Sequence, residues 1–465
     1  MAYSTTPSAP TERPAATLAR SVGALTATSV VVANVIGAGI FTTPGFLARD
    51  LESPFAVLSI WVLGAILALA GALSYSELGA AFPRAGGEYI YLREAYGSLW
   101  GFLTGWTSFF AGFAAPVAAA CIGFSAYVSI FAPSLGPNYV LGSMSLGSRS
   151  ISLSGGQVTA LLALWSLTLV HVSGVRRGGR MQVVLTVGKI AAIVGLIIAG
   201  LTLGAGDWGH LQTEGELVPP AALSNGAVSL IFVLYCYSGW NAAVYLAGEV
   251  KEPNRTIPVS LLVGTGLVMV LYIALNVVFL YALPVSEMSG VLEIGEKASL
   301  ALFGPVATYM VSAIMALSIL ASASAMILAG PRVYFAMASD GLFPKSLAGV
   351  HAEYGSPAAA ILAQSVWISA LILTGTFEQL VVYSGFALVL FSALAVGSVI
   401  VLRWRRPEVP RPFRTPLYPL TPLLFLGFSA WILWFTLQGR PTEALFAIGT
   451  IAMGLPLYWY WKRRG

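Results

Sequence analysis

Two short stretches of the chain hold residues from which binding chemistry could be built. The first reads Val30-Val31-Val32-Ala33-Asn34-Val35-Ile36-Gly37-Ala38-Gly39-Ile40-Phe41-Thr42-Thr43-Pro44, with two glycines around one alanine in mid-run and a proline one turn later. The second, Phe232-Val233-Leu234-Tyr235-Cys236-Tyr237-Ser238-Gly239-Trp240-Asn241, again sets small and polar residues inside an apolar run. Glycine and proline so placed interrupt a helix. The half-helix that starts at Gly37 to Gly39 exposes free N–H groups and a positive dipole end, suited to a carboxylate. The half that ends at Val35 and Ile36 exposes free carbonyls, suited to an ammonium, and those around Tyr235, Cys236 and Tyr237 add acceptors. One break can therefore bind both ends of a zwitterion without any charged side chain. Either segment alone could be a small-residue packing face. The pair, in corresponding members of two halves, points to inverted repeats with a site at the bilayer midplane.

A third candidate is Lys189, nine residues beyond Arg180 and so about 13 Å into an apolar helix. A lysine at that depth is costly and marks function, unless its stem snorkels to the interface. Its ammonium is expected to bond to backbone carbonyls of the first break and to the hydroxyls of Ser322 and Ser324 in the eighth span, either as a fixed charge or as a proton carrier. Glu77, in Tyr75-Ser76-Glu77-Leu78-Gly79, reads as an ion pair or cap with Arg84. No acid is expected near the midplane, so a dibasic substrate or polyamine lacks a counter-ion. A small or medium neutral amino acid fits better.

The elements that must position these residues are membrane helices. Of 465 residues 57% are hydrophobic and 9% charged, and mean hydropathy is +0.82, far from the roughly one-quarter charged content of soluble domains. The reading is an all-α polytopic membrane protein of about twelve spans. They fall at 22–47, 54–82, 97–131, 154–174, 181–203, 222–248, 258–283, 299–330, 357–377, 379–402, 417–437 and 442–461. The first, third and eighth windows exceed the bilayer and call for tilt, breaks or attached surface helices. Residues 1–20 read as a disordered cytoplasmic tail without an apolar signal-peptide core. Lys and Arg concentrate in alternate loops, leaving only Arg49, Arg149, Lys297 and Arg440 on the other side, which predicts both termini in the cytoplasm.

Other function classes lack their residues. The net charge of +5 is scattered with no basic face, so nucleic acid is not expected. Neither a P-loop nor an HExxH or GxSxG motif occurs, and His171, His210 and His351 read as loop residues, so an ATPase or intramembrane enzyme is disfavoured and no cofactor or metal is expected. A channel would need a TVGYG-like filter or charged rings. Cys121 and Cys236 both sit in apolar runs and read as core thiols.

Gly37-Ala38-Gly39-Ile40-Phe41 with Pro44, Ser76-Glu77-Leu78 through Gly86-Gly87-Glu88-Tyr89, and Gly239-Trp240-Asn241 leading to Glu249 and Pro253 form one set of motifs. Pro331-Arg332 to Asp340-Gly341-Leu342-Phe343-Pro344 and Arg411-Pro412-Phe413-Arg414 form another. Together they resemble the amino acid-polyamine-organocation superfamily over about residues 20 to 460, nearest to its L-type transporters and their bacterial relatives. The resemblance implies five plus five inverted-repeat helices with broken helices 1 and 6, then two more: a first repeat at 21–203, a second at 204–402, and a last pair at 403–465. It implies alternating access and sodium-independent exchange of neutral amino acids in the cytoplasmic membrane, with proton-coupled symport as the alternative.

By motif, Tyr235 falls where the family has an aromatic gate, Ser238 and Asn241 line the second break, Tyr272 matches a tyrosine near the site, and Lys189 matches the helix 5 lysine that stands where related transporters hold sodium. Ala38 departs from a frequent serine and Tyr235 from the usual phenylalanine. The outer loop from Pro133 to Ser152 has no cysteine, so a disulfide-linked heavy subunit is not expected.

Overall fold

The computed structural model describes residues 20, 22–84, 86–146, 149–173, 175–212, 222–349 and 357–463. The expected tail (1–20) therefore lies outside the described residues except for Arg20, as does His351. Eighteen α-helices follow in chain order: α1 Ala24–Val35, α2 Gly39–Leu51, α3 Pro54–Ala81, α4 Glu88–Tyr96, α5 Ser98–Thr107, α6 Ala114–Val128, α7 Gly155–Val172, α8 Val175–Leu203, α9 Ala222–Tyr237, α10 Ala242–Tyr245, α11 Pro253–Ala282, α12 Val285–Met288, α13 Ile294–Phe303, α14 Pro305–Ser339, α15 Ala358–Thr374, α16 Phe377–Arg405, α17 Leu420–Gly439 and α18 Pro441–Lys462.

Each apolar window falls on helix. Among the described residues ten helical stretches are long and apolar enough to cross a membrane, with α1 and α2 counted as one, and two shorter apolar helices span Asn225–Tyr237 and Ala358–Thr374. The chain is a multi-span membrane protein.

The three overlong windows resolve in three ways. The first is interrupted between Val35 and Gly39. In the third, α5 passes into α6 through a π-turn at Ser108–Gly112, a local widening of the kind found at functional sites. The eighth divides at Gly304, whose φ of +77° ends α13 before Pro305 starts α14. One segment departs from an all-α reading: strands at Val140–Leu146 and Arg149–Ser154 pair antiparallel as a hairpin within the 133–154 loop.

The interrupted helices sit at the centre of the packing. α1 runs against α11, α2 against α9, α14 against α6 and α8, and α3 along α11 and α9. A membrane offers no water to backbone groups, so a break is tolerated only inside such a shell. Two glycines let the breaks touch. A Cβ on Gly39 would lie 2.6 Å from Cys236 Sγ, and one on Gly239, whose φ is +98°, would lie 2.8 Å from the Asn34 carbonyl carbon. Each break thus supplies the glycine on which the other helix rests.

The structure corrects the partner of Glu77. Arg84 pairs with Glu94 at 3.3 Å, whereas Glu77 takes a two-pronged contact from Arg403 at 2.9 and 2.6 Å, a third approach from Arg411 at 3.5 Å, and the Thr415 backbone N–H at 2.7 Å. The 407–419 segment folds back across the end of α3, and Arg403 also lies 3.8 Å above the Tyr418 ring. Removing one partner from a buried pair strands the others, whereas an exposed pair contributes little. Glu77→Gln is expected to lose about 2 kcal/mol or more of stability. It should lower the detergent melting temperature by several degrees while Arg84→Ala leaves it unchanged. A larger drop for R84A would contradict this assignment.

Candidate functional site

The first break leaves its terminal carbonyls pointing inward, and side chains from two other helices take them. Ile36 leaves the helix with ψ of 91°. Its carbonyl accepts from Lys189 Nζ at 2.6 Å, and the Ala33 carbonyl lies 3.4 Å from the same ammonium. Lys189 is 4% exposed. The Val35 carbonyl accepts from the Tyr272 hydroxyl at 2.7 Å, and that hydroxyl also reaches the Cys236 carbonyl at 3.3 Å. Tyr272 therefore ties the ends of both first halves together. Its ring packs edge-on against Trp61 and tilted against Tyr237, which hold it in place.

Gly37, Ala38, Gly39, Val35, Tyr235, Cys236, Ser238 and Ser322 line one narrow cavity with Asn34, Pro116, Ala120 and Met326. The N–H groups at the start of α2 and the carbonyls at the end of α9 thus bound a single space. Ser322 Oγ is buried without a hydrogen-bond partner in it. Cys236 Sγ donates to Thr43 Oγ1 at 3.3 Å.

Several expected placements change. Ser324 does not reach Lys189; its hydroxyl bonds to His171 Nε2 at 2.8 Å. Residues two apart on a helix point about 200° from one another, so Ser322 and Ser324 cannot face one ammonium. Ser322 faces the break beside Gly37 and makes no bond to Lys189. His171 lies within α7, not in a loop, because that helix runs on to Val172; His210 sits in a short turn at Trp208–Leu211. Asn241 stays beside the second break as the residue before α10, and its amide is taken up by a carboxylate.

That carboxylate, Glu88, is the group sequence reasoning missed. The Gly86-Gly87-Glu88-Tyr89 stretch reads as a polar loop, yet Glu88 is 6% exposed. Its Oε1 accepts from Tyr75 Oη at 2.9 Å and Asn241 Nδ2 at 2.6 Å, and its Oε2 from Tyr245 Oη at 2.6 Å. Burial raises its pKa and the three donors act against that rise. Glu88 lines a second, wider cavity with Thr104, Thr107, Ser108, Tyr245 and Ser392. Asn34, Pro116, Ser238 and Met326 line both cavities, which are therefore adjacent.

Phe46 of α2 stacks on Phe232 of α9 and on Phe377 at the start of α16, with Arg49 above Phe46. Arg49 and Arg440 both bind Glu378. The wider cavity is lined by Ala242 and Tyr245 of α10, which lie a few residues before Val250, the residue that pairs with Val22 ahead of α1.

The family model described as "Amino acid permease" matches residues 22–455. The "Large neutral amino acids transporter small subunit 2" of Mus musculus is 29% identical over 459 residues, covering 96% of this chain and 82% of that one. The "Serine/threonine exchanger SteT" of Bacillus subtilis is 30% identical over 461 residues, covering 96% and 98%. The human "b(0,+)-type amino acid transporter 1" is 30% identical over 448 residues, covering 95% and 88%. The chain belongs to the amino acid permease family.

Proposed function

We propose that this protein exchanges neutral amino acids across the cytoplasmic membrane by alternating access, without sodium. The observation that carries the reading is the small cavity in which Gly37 to Gly39 of one broken helix face Tyr235 to Ser238 of the other. Helix-start N–H groups take the carboxylate and helix-end carbonyls take the ammonium. The narrow space beside Ala120, Pro116 and Tyr235 supports small side chains. Tyr235 serves as the gate, Ser238 and Ser322 as polar wall, and Tyr272 as the link between the two breaks.

Sodium independence is supported by Lys189, whose ammonium already rests on the Ile36 and Ala33 carbonyls as a bound cation would. The twelve windows serve as twelve crossings, two inverted five-helix repeats at 21–203 and 204–402 followed by the pair within 403–465, with both termini cytoplasmic. The excess of Lys and Arg in alternate loops supports that orientation. Cys121 and Cys236 are buried and the 133–152 segment has no cysteine, which supports a transporter that works without a disulfide-linked heavy subunit. A second reading, proton-coupled uptake, draws on two buried ionisable groups, Lys189 at the end of α1 and Glu88 on the wider cavity.

Uptake of labelled alanine, serine, threonine or leucine into proteoliposomes separates the two readings. Exchange requires unlabelled amino acid inside and is unchanged by sodium or a pH gradient; uptake into empty vesicles driven by inward acid would contradict it. In the same assay Lys189→Ala is expected to cut flux at least tenfold while the purified protein stays monodisperse. Unchanged flux in K189A would remove the lysine from the mechanism.

A further inference from the structure

Glu88 stands in an unusual electrostatic position. Among the described residues it is the one formally charged side chain lining the wider cavity. Its hydrogen-bond partners there are neutral: one phenol from α3, and an amide and a second phenol from the segment that follows the second break. Neutral donors satisfy a carboxylate's lone pairs without cancelling its charge, so a buried anion held in this way attracts a cation of matching size. Glu88 lies next to the break, since the cavity it lines shares Asn34, Pro116, Ser238 and Met326 as wall residues with the cavity at the break.

We propose that Glu88 is a second binding station for the ammonium group of the transported amino acid, reached after the zwitterion leaves the break on the side of the N-terminus. This rests on the amino acid transport reading given above. In the break the ammonium faces carbonyl dipoles; at Glu88 it meets a full negative charge. Meanwhile its carboxylate travels along a wall that offers neutral donors, Asn34, Thr104, Thr107 and Ser108. Two of the three groups now on Glu88, Asn241 and Tyr245, belong to the segment after the second break, whereas Tyr75 belongs to α3. The ammonium takes the place of Tyr245 on Oε2 or of Asn241 on Oε1 as that segment shifts, and Tyr75 stays as the fixed partner. The station serves substrate arriving from one face only.

The test is KM measured separately from each membrane face, in intact cells and in inside-out vesicles, for wild type and three variants. Glu88→Gln is expected to raise KM at least fivefold from the face nearer Glu88 and by less than twofold from the other, while Glu88→Asp stays close to wild type. Tyr245→Phe removes a competing donor and is expected to lower KM from the near face, a direction that misfolding cannot produce. Equal KM changes from both faces, no change in either, or a loss of kcat with KM intact would overturn the station. So would a wild-type flux stimulated by sodium or by a proton gradient that E88Q abolishes, since Glu88 would then be an ion site. If wild type exchanges no amino acid at all, the transport reading itself fails.

Discussion

Interrupting a helix inside a membrane frees backbone N–H and C=O groups that lipid cannot satisfy. That constraint organises this molecule. The carbonyls at the end of α1 are taken by Lys189 and Tyr272, one from α8 and one from α11, and Tyr272 also reaches the end of α9. The glycines at the breaks allow the two helices to lie against each other closely enough for one tyrosine to bridge them. The N–H groups that start α2 border a cavity with Tyr235, Cys236 and Ser238 of the second break, whose Tyr235 and Cys236 carbonyls accept from Ser238 and Tyr272. In the proposed reading this is where the zwitterion binds.

Charge is distributed in keeping with this. Where α1 ends, a lysine sits on carbonyl dipoles and needs no carboxylate. Along the wider cavity a carboxylate sits among phenols and an amide and has no cation. The other ion pairs lie toward the helix ends: Glu77 with Arg403 and Arg411 beside the 407–419 segment, and Glu378 with Arg49 and Arg440 at the far ends of α2 and α17. Those pairs bind segments together, whereas Lys189 holds the end of α1 and Glu88 lines the wider cavity.

Much of this was legible in the sequence because it rests on local composition. Gly37 and Gly39 in an apolar run announce a break whatever surrounds them, and Lys189 stands out against some twenty apolar neighbours. Long-range partners are not local. Arg403 lies 326 residues from Glu77, so the nearer Arg84 was the natural but incorrect choice. Ser322 and Ser324 look equivalent in sequence, yet helix geometry sends one toward the break and the other toward His171. Glu88 was hidden because its flanking glycines read as a loop, and only the approach of α3 and α10 buries it. The hairpin at 140–154, in turn, carries a short polar–apolar alternation, Ser143-Met144-Ser145-Leu146 and Ser150-Ile151-Ser152-Leu153-Ser154, that a reading tuned to long apolar windows passes over.

The central claim is that backbone ends at the two breaks hold both charged groups of one zwitterion. Equilibrium binding to purified protein of alanine, of ethylamine, which lacks the carboxylate, and of propionate, which lacks the ammonium, tests it directly. Charge-assisted hydrogen bonds contribute about 1.5–3 kcal/mol each. Alanine is therefore expected to bind at least tenfold more tightly than either truncated analogue, with both losses present in wild type and the ranking retained in E88Q. Ethylamine or propionate binding as tightly as alanine would contradict the account.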